Sequence, residues 1–259
     1  MREKVGTAVI IVLLFVPTFC FPFEIDPYRK SDESRLDLVF VPLHYSKEGD
    51  FSADVEHILS GLRKTPPFGE FIDRIGIHKV GLSPIEEERL FQETHGFPPL
   101  KIHQELFRTI EKSLRPPYKV AIIDAKGSRS CAELSAMNKV SVLIIGRGRY
   151  KRGDGFGKGF LHELGHSLGL RDECVHCSPL SGPGHPNCAA NKEDALRYWG
   201  DLANKAAGVS FISGCCGSRE YIRPTLGSLM NDADKADDFG PVNERYLRLE
   251  LTGDQEALF

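Results

Sequence analysis

The segment His162-Glu163-Leu164-Gly165-His166-Ser167-Leu168-Gly169-Leu170-Arg171-Asp172 holds residues whose types and spacing amount to chemistry. It reads H-E-x-x-H-x-x-G-x-x-D. On a helix, residues four apart lie one turn apart on one face, so both imidazoles reach a single ion. Neutral imidazole nitrogen suits Zn²⁺, and a catalytic zinc keeps three protein ligands and an open position for water. Glu163, beside the first histidine, is placed to take a proton from that water. Gly169 tolerates the positive φ of a sharp turn, which brings Asp172 back toward the ion as an oxygen ligand. The expected site is therefore Glu163 as the base and His162, His166 and Asp172 around one zinc. The chemistry implied is metal-assisted hydrolysis.

The surrounding pattern supplies a means of positioning these groups. Phe160, Leu161, Leu164 and Leu168 form one apolar stripe, so the helix packs on a core along that side. At about 100° per residue the histidines point away from the stripe, and Gly159 and Gly165 fall toward the histidine side. Before the helix, Val140 to Ile145 reads as a β-branched strand running into glycine-rich turns at Gly146–Arg149 and Gly153–Gly155. Those glycines match neither a P-loop nor a dinucleotide fingerprint and are turn chemistry.

Elsewhere, strands are expected at Leu36–Leu43, Ile75–Val80 and Tyr118–Asp124. Helices are expected at Asp50–Arg63 with Ser52 as its cap, at Ile85–Gly96 as a short acidic helix or excursion, and at Lys101–Leu114. Cys131–Lys139 reads as loop or helix. Residues Asp172 to Gly217 are rich in Gly, Pro, Ser and Cys, with one helix at Lys192–Ala207, capped near Asn191 and anchored in the core by Trp199. Strands alternating with helices, then a loop-rich tail, give an α/β or α+β class. The fold expected is a mixed sheet with an active-site helix and a loop-rich, cysteine-containing C-terminal subdomain.

The N-terminus carries Arg2 and Lys4 before an apolar run, Val5–Val16, broken by Pro17. Such a run is short for a membrane span and suits a signal-peptide core or an N-terminal anchor at residues 1–20. Residues 21–35 follow as an extended lead-in, and 36–259 form the catalytic domain, with an upper part at 36–171 and a lower part at 172–259. Export, secreted or periplasmic, gives the cysteines a role. Cys131, Cys174, Cys177, Cys188, Cys215 and Cys216 are an even set that suggests disulfides, with adjacent Cys215 and Cys216 bonding to different partners. The competing reading is a structural zinc knuckle from Cys174, Cys177 and Cys188, with His176 and His185 nearby. A net charge of -3 without a basic stripe argues against nucleic acid as a partner. A protein or peptide substrate fits better, and a membrane enters only through the N-terminal segment.

With these residues in view, the chain resembles metzincin-type zinc peptidases, and more specifically the immunoglobulin-A-peptidase type. The resemblance spans Leu36 to Leu251. It rests on Leu38-Val39-Phe40-Val41, the strand before the zinc helix, His162–Glu173, Tyr221–Met230 and Phe239-Gly240-Pro241-Val242-Asn243-Glu244. It implies a zinc endopeptidase in which His162, His166 and Asp172 bind the metal, Glu163 is the base and Met230 packs beneath the site. The chain departs from the family in three ways. Aspartate is the minority third ligand, the spacing at Asp172-Glu173 is one residue short of the immunoglobulin-A-peptidase pattern, which makes Glu173 the alternative third ligand, and no tyrosine closely follows Met230. Three other readings compete: a gluzincin-type site completed by Glu193, another zinc amide hydrolase, and an exported binding or adhesion module with a vestigial zinc helix.

Overall fold

The computed structural model describes residues 25–29, 36–94, 100–115, 117–128, 130–135, 140–149, 155–177 and 182–253. The expected leader at 1–20, the Gly153-Asp154 turn and part of the lead-in lie outside the described residues. In chain order the elements are β1 (Ile25–Arg29), β2 (Leu36–Leu43), α1 (Glu48–Lys64), β3 (Ile75–Val80), α2 (Pro84–Leu90), β4 (Phe91–Glu93), β5 (Leu100–Ile102), α3 (Gln104–Ser113), β6 (Tyr118–Asp124), β7 (Ser130–Ser135), β8 (Val140–Gly146), α4 (Gly155–Ser167), α5 (Lys192–Ala203), β9 (Ile212–Cys215), β10 (Ser218–Arg223) and α6 (Pro241–Thr252).

Six strands form one mixed sheet in the order β1-β3-β2-β6-β8-β7. Strands β3, β2, β6 and β8 are parallel, and the two edges, β1 and β7, run antiparallel to their neighbours. Alternation along each strand divides the core into two layers. Leu38 and Phe40 of β2, with Leu143 and Ile145 of β8, face α1, α4 and α6. Val39 and Val41, with Val142 and Ile144, face α2 and α3. Helices on both faces explain why these strands read as near-continuous apolar runs. The fold is mixed α/β, as the strand–helix alternation implies.

Several local expectations are corrected. Residues 25–29 of the lead-in are an edge strand paired to β3; Pro27 is tolerated there because an edge strand has N–H groups that need no ladder partner. Cys131–Lys139 begins as strand β7, not loop or helix, paired to β8 from Ser130↔Ile145 to Ser135↔Val140. Helix α1 starts at Glu48, and Lys47 rather than Ser52 stands at its N-cap; the Ser52 hydroxyl accepts from the Lys79 ammonium at 3.2 Å instead. The acidic stretch at 85–96 splits into α2, closed by a Ser83–Glu86 capping box, and the short strand β4. Helix α5 ends at Ala203, four residues short of the expected end, and Asn191 caps it as expected. Trp199 is wholly buried in this lower part, its indole N–H donating to the Ser210 carbonyl at 3.0 Å.

After Asp172 the chain leaves the sheet. It forms a loop-rich lower part containing α5, the β9–β10 hairpin and α6. Disulfides join Cys174 to Cys177 and Cys188 to Cys215; Cys131 and Cys216 belong to neither bridge. The expectation that Cys215 and Cys216 both bond is corrected, because Cys216 keeps its thiol. The knuckle reading loses its ligands, since all three of its cysteines are bridged. No helix among the described residues is long and apolar enough to cross a membrane.

Candidate metal centre

Helix α4 packs under β7 and β8 and crosses α1. Its back consists of Phe156, Phe160, Leu161 and Leu164, all buried. The crossing is close because glycines meet there: a β-carbon on Gly61 would lie 3.8 Å from the Gly157 Cα. This seating turns the opposite face of α4, with His162 and His166, away from the core.

The helix ends in a Schellman turn. The Leu170 N–H donates to the Gly165 carbonyl at 3.0 Å and the Gly169 N–H to the His166 carbonyl at 3.0 Å. Gly169 sits at φ 106°, and a β-carbon there would also lie 2.8 Å from the Tyr246 hydroxyl oxygen. Glycine is thus required twice at this position, for the backbone and for space. The same turn aims the Leu170 carbonyl back at His166, whose Nδ1 lies 2.9 Å from it. His162 Nδ1 lies 2.8 Å from the Leu229 carbonyl. A carbonyl only accepts, so each Nδ1 carries the proton and each Nε2 presents a lone pair.

The two Nε2 atoms are 3.0 Å apart, and Asp172 Oδ1 lies 3.5 Å from that of His162 and 3.4 Å from that of His166. Tetrahedral bonds of about 2.0–2.1 Å would separate ligand atoms by about 3.3–3.4 Å. The three atoms therefore form the face of a zinc-sized tetrahedron. Two neutral imidazoles and one carboxylate are also the donor chemistry that zinc takes. Burial works against the charged His166 imidazole, but Asp172 beside it lifts its pKa above the ordinary value. Burial raises the Asp172 carboxyl in turn, and the facing imidazoles bring it below the ordinary carboxylate range.

Glu163 is 7% exposed and close enough to His166 for its charge to favour the imidazolium. Glu173 does not turn toward the imidazoles. It is wholly buried, and its Oε1 accepts from the side-chain amides of Asn187 at 3.0 Å and Asn243 at 2.8 Å. Its Oε2 accepts from the hydroxyls of Ser228 at 2.7 Å and Thr225 at 3.2 Å. Burial pushes its carboxyl above the ordinary range, and these four donors pull it back. Four donors leave this carboxylate no lone pair directed at an ion, which removes it as the substitute ligand. Glu193 lies exposed in the first turn of α5, outside the cluster that His162, His166 and Asp172 form.

Met230 is wholly buried against Gly165, the residue in the helical turn between the two histidines. Gly165 therefore does not simply clear the histidine face; it admits the Met230 side chain. The Met230 carbonyl accepts the Glu173 N–H at 2.8 Å, which joins the Met230 segment to the ligand loop. Sequence reasoning missed Asn187, Thr225, Ser228 and Asn243 as supports. The last three fall inside the quoted segments Tyr221–Met230 and Phe239–Glu244, where their polar character was the available signal. A cavity of 940 Å³ between α2, β5 and α3 opens elsewhere and is lined by none of the metal-centre residues.

No protein-family model and no curated protein matches this chain. Among solved structures it is similar to the crystal structure of archaemetzincin from Methanopyrus kandleri, at 14% identity, covering 84% of this chain and 96% of that one, with a TM-score of 0.38. So distant a likeness assigns no reaction, and the geometry of the site has to carry one.

Proposed function

We propose that this chain is a zinc-dependent endopeptidase of metzincin type, holding one zinc ion on His162, His166 and Asp172 with Glu163 as general base. The observation that carries this reading is the convergence of two proton-oriented imidazoles and a carboxylate at separations of 3.0 to 3.5 Å. When bound, zinc supplies a Lewis acid for a carbonyl oxygen and lowers the pKa of a water in its open position toward about 7. Glu163 takes the water's proton as the new carbon–oxygen bond forms, then delivers it to the departing amine as the carbon–nitrogen bond breaks. Asp172 places negative charge beside the ion, where a third imidazole would place none.

A peptide substrate is supported by the sheet. Strand β7 is an edge strand packed on α4, so one row of its backbone groups faces away from the ladder. An extended peptide can pair with such an edge. The immunoglobulin-A-peptidase type is the finer assignment, supported by His162–Glu173 and the Tyr221–Met230 segment in their mutual contact. Export is supported by the two disulfides and by the apolar run Val5–Val16.

The test is direct. The purified chain should contain one zinc and cleave casein, with cleavage stopped by a chelator and restored by zinc. Glu163→Gln should keep the metal and lose activity by about 10²–10⁴-fold, and Asp172→Ala should lose the metal. Full activity in Glu163→Gln, or full zinc content in Asp172→Ala, would overturn the assignment.

A further inference from the structure

We propose that the Cys188–Cys215 disulfide is the brace that sets the position of the third ligand, Asp172, while the two histidines are held independently of it. The proposal rests on the metal-centre reading above.

Arg171 to Cys174 belongs to no helix or strand. The Met230 carbonyl and the Arg223 guanidinium hold the Glu173 peptide group, and two further grips bear on its flanks. On one side stands Asn187. The Arg171 N–H donates to its Oδ1 at 2.9 Å, and its Nδ2 donates to the Arg171 carbonyl at 2.8 Å and to Glu173 Oε1 at 3.0 Å. On the other side the Cys216 N–H donates to the Asp172 carbonyl at 2.9 Å, and the Gly217 N–H to the Cys174 carbonyl at 3.0 Å. Asn187 immediately precedes Cys188, and Cys216 immediately follows Cys215. One sulfur bridge therefore sets the spacing between Asn187, which holds the neighbours Arg171 and Glu173, and Cys216, which holds the Asp172 carbonyl.

The histidines have other anchors. Both ride on α4, and their Nδ1 protons go to Leu229 and Leu170. The Asn187 loop is also docked without sulfur, because Ala189 and Ile222 exchange backbone bonds of 2.8 and 2.9 Å. Opening the bridge thus leaves the lower part folded and loosens one ligand of three. Outer partners that orient a metal ligand are typically worth about 10–100-fold in metal affinity.

The test uses the full chain with Cys188→Ser/Cys215→Ser, and separately Asn187→Ala, which keeps the bridge and removes one clasp. Two readouts are needed: the rate of zinc release to a chelator, and amide exchange in the metal-free protein. Zinc release should accelerate about 10–100-fold in both variants. Exchange should accelerate at residues 171–174 and not in α4. Wild-type release rates with unchanged exchange at 171–174 would overturn the brace, as would equal acceleration throughout α4. So would a second equivalent of zinc held by Cys188, Cys215 and Cys216, whose sulfurs lie within 4.8 Å of one another. If the wild-type chain binds no zinc, the metal-centre reading fails, and the exchange contrast alone decides the brace.

Discussion

Gly165 and Met230 are in contact across the base of the metal centre: a β-carbon on Gly165 would lie 2.7 Å from the Met230 sulfur. The glycine sits between the two histidines on α4, and the methionine follows Leu229, whose carbonyl orients His162. The contact therefore fixes the helix that carries two ligands against the segment that orients one of them.

Gly165→Ala overpacks this point, because Phe239 at 3.1 Å and Leu170 at 3.3 Å close the other directions. The expected cost is about 1–3 kcal/mol, read as a lower thermal midpoint together with faster zinc release. An unchanged midpoint would show that Met230 moves aside freely. Met230→Ala in the same chain should recover part of the loss, since contacting residues couple.

Glu173→Ala removes the shared acceptor of Asn187, Asn243, Thr225 and Ser228 in a wholly buried place. Stranding buried donors is expensive, and a loss of about 3–5 kcal/mol is expected in urea unfolding. Glu173→Gln should lose less. Its oxygen can still serve the two amides, and its NH₂ can face hydroxyls that rotate to accept. Equal losses in the two variants would argue that the network does not work through hydrogen bonding.

Lys119 closes the C-terminus of α4. Its ammonium donates to the Ser167 carbonyl at 2.8 Å and to the Ser141 hydroxyl at 3.1 Å, and that hydroxyl also donates to Ser167 at 3.3 Å. A cation at a helix C-terminus answers both an unpaired carbonyl and the negative end of the dipole. Lys119→Met should cost about 1.5 kcal/mol and speed amide exchange in the last turn of α4. Exchange that is uniform along the helix would count against a capping role.

Acid should weaken the surface tie between Arg248 of α6 and Glu70. Arg248 grips Glu70 at 2.6 and 3.1 Å and, through those hydrogen bonds, holds its carboxyl below the usual range. A depressed carboxylate contributes stability above its unfolded pKa of about 4.3 and loses it as pH falls through the lower folded value. Asp201, paired with Arg245, adds a loss of the same sign at lower pH, below its unfolded pKa of about 3.9. The chemical midpoint should fall on acidification below about pH 4.3. Arg248→Gln should show a shallower fall there, and curves that stay parallel would remove Glu70 from the account.

Much of the centre was legible because helical spacing and a glycine act locally. Positions 162 and 166 share a face by helix geometry alone, and Gly169 needs only its own φ to reverse the chain. Strands β2, β6 and β8 were legible because burial on both faces leaves long apolar runs, and β3 because its apolar residues recur at alternate positions. The edge strands were not. Residues 25–29 and 130–135 mix polar and apolar types, since an edge strand takes its identity from the neighbour it pairs with. The choice between Asp172 and Glu173 was also beyond local reasoning. Adjacent side chains on an irregular, extended stretch point in opposite directions, so packing decides which of the two meets the imidazoles and which meets four distant donors.

The amino-acid order by itself determined which groups stand together locally: two imidazoles one turn apart, a carboxylate beside the first, and a glycine hinge leading to an acid. Only the tertiary structure decided how that acid is held. Asn187, Cys216, Ser228 and Asn243 come from four separate stretches of chain, and their convergence on residues 171–174 is a product of packing that no local spacing encodes.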